Sequence, residues 1–199
     1  MVYRLPYIAK GQVVGLLGGS FDPPHRGHVH ITREAFKFFN FDRIWWLVSP
    51  GNPLKPHGPA SLERRVNAST TKMQHPRVHI SDFEAQAGTR YTSETIAALQ
   101  SARPHARFVW LMGADNLAQL HRWNDWQEIM CRVPVAVLAR PGESVGALSA
   151  KAGQVFRAAR LATKQSRLIG NKDAPSWCFV NMPMEDASST NIREKGEWL

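Results

Sequence analysis

His25 and His28 stand three residues apart, directly after the run Gly18-Gly19-Ser20-Phe21-Asp22-Pro23-Pro24. Imidazoles at that spacing, beside glycines that leave the backbone bare, suit phosphate oxygens. Each ring offers a hydrogen-bond donor, and a phosphoryl oxygen gains charge as its P–O bond breaks. No serine–histidine pair, cysteine or carboxylate dyad competes for the chemistry in this stretch. His30, two residues further on, falls on another face of any helix and reads as a packing or surface residue. Two other readings stay open at this point: a proline-rich turn with solvent histidines, and metal ligation, which asks for a third histidine or acidic ligand at helical spacing. Neither accounts for glycines placed at the end of an apolar run.

That run, VVGLL at 13–17, is the first of six short aliphatic or β-branched segments. The others are RIWWLV at 43–48, RVHI at 77–80, RFVWLM at 107–112, VPVAVLA at 133–139 and WCFVNM at 177–182. Helical spacing fills the intervals. Val29, Ala35, Phe36 and Phe39 share a face over 27–39, and Leu62, Val66, Ala68 and Met73 mark a second helix. A third runs over 92–102, opening on a capping arrangement Thr92-Ser93-Glu94-Thr95. One or two short helices are expected within 115–131, a basic helix over 149–161, and a polar loop, LIGNKDAPS, after it. Strands alternating with helices predict the α/β class: a parallel sheet with helices on both faces. Burial on both faces explains why VVGLL and VAVLA are continuously apolar. Ligands of such sheets lie at the carboxyl edge of the strands, where Gly18-Gly19 would be delivered. Asp22-Pro23-Pro24 then sets a rigid turn into a helix whose N-terminus favours an anion.

The chain has 199 residues, 43% hydrophobic and 21% charged, which fits one folded domain over 1–199. No apolar run approaches the roughly 18 residues of a membrane span and the N-terminus has no signal-peptide core, so the expectation is a cytoplasmic protein without a membrane partner. Cys131 and Cys178 stand apart without a CxxC neighbour and read as reduced, structural residues. The net charge of +9 raises the question of a nucleic-acid-binding module. The basic residues are dispersed, with no basic–aromatic alternation, so a nucleic-acid partner is not expected. GxxxxGK[ST] and GxGxxG are both absent.

Gly18 to His28 resembles the GG(T/S)FDPxHxGH signature of the nucleotidylyltransferase superfamily, and in particular of the bacterial nicotinate-nucleotide adenylyltransferases. Four further segments follow in the family's order. Ser49-Pro50-Gly51-Asn52-Pro53-Leu54-Lys55 is similar to its PxxxPPHK loop, interrupted by Leu54. Arg90 to Ile96 is similar to SYTxxTL. Gly113-Ala114-Asp115 with Leu120 and Trp123 matches GxDxLxxLxxW, and Ser188-Ser189-Thr190-Asn191-Ile192-Arg193 matches ISSTxIR, with Ala187 in place of isoleucine. Phosphopantetheine adenylyltransferase shares the HxGH core but lacks the tryptophan segment. The basic stretch 149–170 has no family motif to align, and the family normally continues beyond ISSTxIR with a further helix, whereas the sequence stops at Trp198-Leu199.

The resemblance implies a Rossmann-like open parallel sheet of five or six strands with the site at its C-terminal edge, and a transferase that joins AMP from ATP to nicotinate mononucleotide, releasing pyrophosphate, in NAD biosynthesis. Its implied catalytic residues are His25, His28 and Arg193. Gly18, Gly19, Ser20, Phe21, Lys55, Gly113, Asp115, Ser189 and Thr190 are implied on the ATP side, with SSTNIR closing over the triphosphate. Tyr91, Thr92, Trp123 and Arg140 are implied around the mononucleotide. Within that set, Tyr91-Thr92 begins a helix whose N–H groups would take the pyridine carboxylate. Trp123 either stacks on the ring or packs in the core. Mg²⁺ is expected to arrive on the ATP phosphates, with no metal site made by the protein alone; Asp22 and Asp115 are within the motifs that would approach it. The oligomeric state is left open.

Overall fold

A computed structural model describes residues 3–51, 58–139, 144–183, 189–194 and 198. Seven strands among them form one parallel sheet in the order β3-β2-β1-β4-β5-β7-β6. They are β1 (Val13–Gly19), β2 (Arg43–Val48), β3 (Val78–Ser81), β4 (Arg107–Gly113), β5 (Val135–Ala139), β6 (Arg160–Leu161) and β7 (Trp177–Asn181). The chain winds outward one way from β1 to β3, then returns to lay β4 on the other side of β1. The register pairs Leu17 with both Trp46 and Leu111, so the crevice where the winding reverses opens at the carboxyl ends of β1 and β4.

Alternation along each strand divides the interior into two cores. Val14, Leu16, Trp45 and Trp110 face one; Val13, Leu17, Trp46 and Leu111 face the other. The first core is covered by α4 (Thr92–Ala102), α5 (Ala114–Gln119), α6 (Trp126–Arg132), α7 (Ser144–Ser149) and α8 (Lys151–Val155), through residues such as Ile96, Leu117 and Ile129. The second is covered by α1 (Arg26–Phe38), α2 (Leu62–Lys72) and a 3-10 helix, Thr163–Asn171, through Ala35, Val66 and Ile169. The short α3 (Phe83–Ala87) ends at Gly88, whose φ of 68° lets the chain turn back toward α4. α9 (Ser189–Glu194) lies near the C-terminus.

The sheet carries one more strand than the upper bound expected, because part of the anticipated basic helix 149–161 is not helical. α8 ends at Val155, a 3-10 turn spans Arg157–Ala159, and Arg160–Leu161 pair with Trp177–Cys178 as an edge strand. Trp177 explains the stop: its Nε1 donates to the carbonyl of Phe156 at 2.7 Å, and Arg160 lies 5.4 Å from its ring centroid. The expected loop 168–176 is 3-10 helical up to Asn171. Both cysteines are free; burial pushes the Cys178 thiol up to about 11, with Arg160 opposing. No helix among the described residues is long and apolar enough to cross a membrane.

Candidate active site

The end of β1 is bare because it must be. A Cβ on Gly18 would stand 2.6 Å from Cη2 of Trp110 on the neighbouring strand, so the indole fills the floor of the crevice only if residue 18 is glycine. Beyond it Phe21 takes a left-handed φ of 47°, an uncommon state for a bulky side chain. Its ring, 1% exposed, stacks on Trp46 at 4.8 Å with 13° between the planes. Phe21 therefore supports the turn from below and does not line the cavity. The Asp22–Pro23 peptide bond is cis.

α1 begins with a reciprocal cap made by the two histidines. The Gly27 N–H donates to His25 Nδ1 at 3.1 Å, and the His25 N–H donates to His28 Nδ1 at 3.2 Å. The rings lie 3.9 Å apart, and His28 packs on Phe21 at 4.7 Å. Since both Nδ1 atoms accept backbone protons, the neutral rings carry their own proton on Nε2. This corrects the expectation that open helix N–H groups would receive the anion. The N–H of Gly27 is taken by His25, and that of His28 by the His25 carbonyl at 3.0 Å. One turn along, Thr32 donates to the His28 carbonyl and accepts from Trp46 Nε1, both at 2.8 Å, tying α1 to β2. His30 accordingly takes no part; its Nε2 meets the Pro183 carbonyl at 2.8 Å.

A cavity of about 760 Å³ opens over this edge. On one side it is lined by Gly18, Gly19, Ser20, His25, His28 and Ser189; on the other by Tyr91, Thr92 and Trp123; and between them by Gly113 and Asp115. Gly113 is the residue before α5, and a Cβ there would collide with Asp115 Oδ1. Trp123 is half-buried against the first core and also lines the cavity. At the head of α4 the cap differs from the one anticipated. Tyr91, not Thr92, precedes the helix, and the exposed Glu94 carboxylate accepts from the N–H groups of Arg90 at 3.0 Å and Tyr91 at 3.2 Å, which hold its pKa down. Those two donors are occupied, leaving the N–H groups of Thr92 and Ser93 in the first turn.

Arg193 is not among the residues lining the cavity. It donates to the Asp22 carbonyl, with the Asp22 carboxylate 3.9 Å away. Ser189 Oγ donates to the Pro23 carbonyl at 3.0 Å, and Trp198 Nε1 to Asp22 Oδ1 at 2.8 Å. Thr190 follows Ser189 in α9. The C-terminal motif is thus fastened to the cis-proline turn. Lys55 and Arg140 lie outside the described residues. Among the described residues there is no group of three or more potential metal ligands; Asp22 is engaged by its neighbours, whereas exposed Asp115 faces the cavity.

Several groups escaped the sequence reading. Arg65, 1% exposed in α2, donates to the carbonyls of Ala60, Ser20, Ser49 and Pro50 at 2.6–3.1 Å, clasping the loop after β1 to the loop after β2. Burial lowers its pKa while Asp22 opposes. Its only signal was an arginine at an inward position of an amphipathic helix. Arg90 and Arg122, each beside a motif aromatic, add two cations to the acceptor wall, and Glu84 adds a buried acid. Trp110, with an unpartnered Nε1 among the described residues, forms part of the floor.

Comparison with known proteins agrees with this geometry. The cytidylyltransferase-like family model matches residues 16–195. A Ruegeria pomeroyi protein named "Probable nicotinate-nucleotide adenylyltransferase" is 59% identical over 97% of this chain and 91% of its own length. A protein of the same name from Roseobacter denitrificans is 55% identical over 98% of each. In fold, the Plasmodium falciparum nicotinic acid mononucleotide adenylyltransferase complexed with NaAD superposes with a TM-score of 0.67 at 16% identity, over 92% of this chain and 83% of that one. The chain belongs to the cytidylyltransferase-like family and, within it, to the nicotinate-nucleotide adenylyltransferases.

Proposed function

We propose that this protein transfers the AMP moiety of ATP to nicotinate mononucleotide, giving nicotinate adenine dinucleotide and pyrophosphate. The observation that carries the reading is one cavity at the sheet's switch point with two imidazoles, fixed as Nε2–H donors, on one wall and an aromatic, arginine-bearing wall facing them. Relatives that bear this activity in their names, at 55–59% identity over nearly the whole chain, support it.

In this reading a mononucleotide 5′-phosphate oxygen attacks the α-phosphorus, the Pα–O bond to the leaving group breaks, and its electron pair departs on pyrophosphate. No covalent enzyme intermediate is required; the protein aligns two anions and offsets charge that grows in the transition state. His25 and His28 hold the transferring and leaving oxygens, Gly18, Gly19, Ser20 and Ser189 border the triphosphate, and Gly113 and Asp115 border the nucleoside. Arg193 serves by holding Asp22 and the turn; Phe21 and Arg65 serve in the same supporting way. Lys55 remains a proposed phosphate contact, and Arg140 a proposed contact to the mononucleotide. Tyr91, Thr92 and Trp123 take the pyridine ring and its carboxylate, an anion favoured by Arg90 and Arg122. The residues present fit a Mg²⁺ carried by the ATP phosphates, with Asp115 as the available carboxylate, and that ion would supply further charge neutralisation.

The test is pyrophosphate release by the purified protein with ATP, Mg²⁺ and, separately, nicotinate mononucleotide, nicotinamide mononucleotide or phosphopantetheine. The expected result is a preference for the acid of at least about tenfold in kcat/KM, or about 1.4 kcal/mol. Equal use of acid and amide, or preference for phosphopantetheine, contradicts the acceptor assignment.

A further inference from the structure

Glu84 is out of place as a purely structural residue. It lies in α3, is 7% exposed and lines the cavity, and its carboxyl has no hydrogen-bond or ion-pair partner among the described residues. Buried carboxyls normally have partners, and one without them opposes its own ionisation; burial pushes this carboxyl up to about 7. The backbone that carries it is held firmly. Phe83, next to it, is fully buried against Tyr3 at 4.9 Å, and the Thr89 N–H closes onto the Glu84 carbonyl at 3.0 Å. Nothing in this packing calls for an acid.

The rest of the cavity indicates which ligand atoms such an acceptor would meet. His25, His28, Arg90, Arg122 and the first turn of α4 all present donors, which suit phosphates and a pyridine carboxylate. On nicotinate mononucleotide those groups are acceptors, and its hydrogen-bond donors are the 2′- and 3′-hydroxyls of the ribose. Glu84 stands on the α3–α4 side, with the residues that face the acceptor nucleotide. Resting on the reading given under Proposed function, we propose that Glu84 binds the ribose diol of the acceptor mononucleotide, its carboxyl oxygens taking the sugar hydroxyls. The ligand completes a group that the described residues leave unsatisfied, and a carboxylate paired with a vicinal diol is chemically matched in both spacing and polarity.

The test uses the intact protein and pairs substrate analogues with substitutions. For the wild type, 2′-deoxy or 3′-deoxy nicotinate mononucleotide is expected to raise the mononucleotide KM at least about tenfold for the contacted hydroxyl, with the ATP KM changed less than twofold. Glu84→Ala is expected to raise the same KM for the parent substrate and to show no further loss with that deoxy analogue. Glu84→Gln, near-isosteric, keeps the fold under study if the alanine variant does not. Wild-type indifference to both deoxy analogues overturns the proposal, as does a deoxy penalty that persists at full size in the Glu84 variants. Failure of the wild type to adenylylate the parent mononucleotide overturns the broader function and this inference with it; normal transfer without the coupling overturns the inference alone.

Discussion

The two walls of the cavity are built on different principles. On the wall after β1, the polar groups are engaged before any ligand arrives: His25 Nδ1 accepts from the Gly27 N–H and His28 Nδ1 from the His25 N–H, Thr32 bridges α1 to Trp46, and Arg65 satisfies four loop carbonyls. On the wall formed by α3, α4 and the segment around Trp123, Arg90 and Arg122 are exposed and the Glu84 carboxyl is buried without a partner among the described residues. The contrast suits the proposed reaction. Charge develops on the phosphoryl side, where preorganisation lowers the barrier because nothing has to rearrange during the step. The acceptor side recognises a ground-state ligand, and there incomplete satisfaction by the protein confers selectivity.

Substitutions on the two walls should separate accordingly, and the largest effect is expected at His28. His28→Ala should lower kcat by about 10²- to 10⁴-fold, with the far-UV circular dichroism retained and the mononucleotide KM little changed. A comparable rise in that KM would mean that the walls are not functionally distinct.

Arg65→Met comes next. Carbonyls of Ala60, Ser20, Ser49 and Pro50 lose their donor, so urea unfolding should register a loss of about 3–5 kcal/mol. A loss below about 1 kcal/mol would show that the loops do not depend on the clasp.

Glu84→Gln should move stability in the opposite direction. The folded-state pKa is raised from 4.5 to about 7, so the folded protein holds this proton more tightly than the unfolded chain. The resulting stability is complete below about pH 4.5 and lost as pH rises through about 7. At pH 8 the glutamine variant should therefore exceed the wild type by up to about 3 kcal/mol in urea unfolding, while the two converge near pH 4.5. Parallel stability profiles from pH 4.5 to 8 would contradict an unpaired buried carboxyl. The smallest effect is expected for Trp123→Phe, which keeps an aromatic face: a rise of a few-fold in the mononucleotide KM with kcat held.

These two walls also differ in how far their sequence discloses them. β2 begins and ends at the residues expected, and α1 and α4 differ by a residue or none, because Trp45-Trp46, Ala35, Ile96 and Leu99 carry strong apolar patterns. The His25–His28 pair was legible because local spacing puts both at one helix start. Their reciprocal cap was less so, since histidine is not a usual capping residue. The clasp by Arg65 and the isolation of Glu84 depend on contacts between segments far apart in sequence, which no local pattern encodes. The same holds for 149–161, where Trp177 captures the Phe156 carbonyl and an edge strand replaces the last helical turn. The attachment of Arg193 to Asp22 likewise spans most of the chain.

At the head of α1 the backbone fixes the imidazoles of His25 and His28, the proposed catalytic pair, with their protons on Nε2 before substrate binds. Two-bond ¹H–¹⁵N correlation spectra of histidine-labelled protein at neutral pH, assigned through His25→Gln and His28→Gln variants, test it directly. Both residues are expected to show the Nε2–H tautomer, with Nδ1 as the unprotonated nitrogen. Nδ1–H signals for either residue, or rapid tautomer averaging of both, would contradict it.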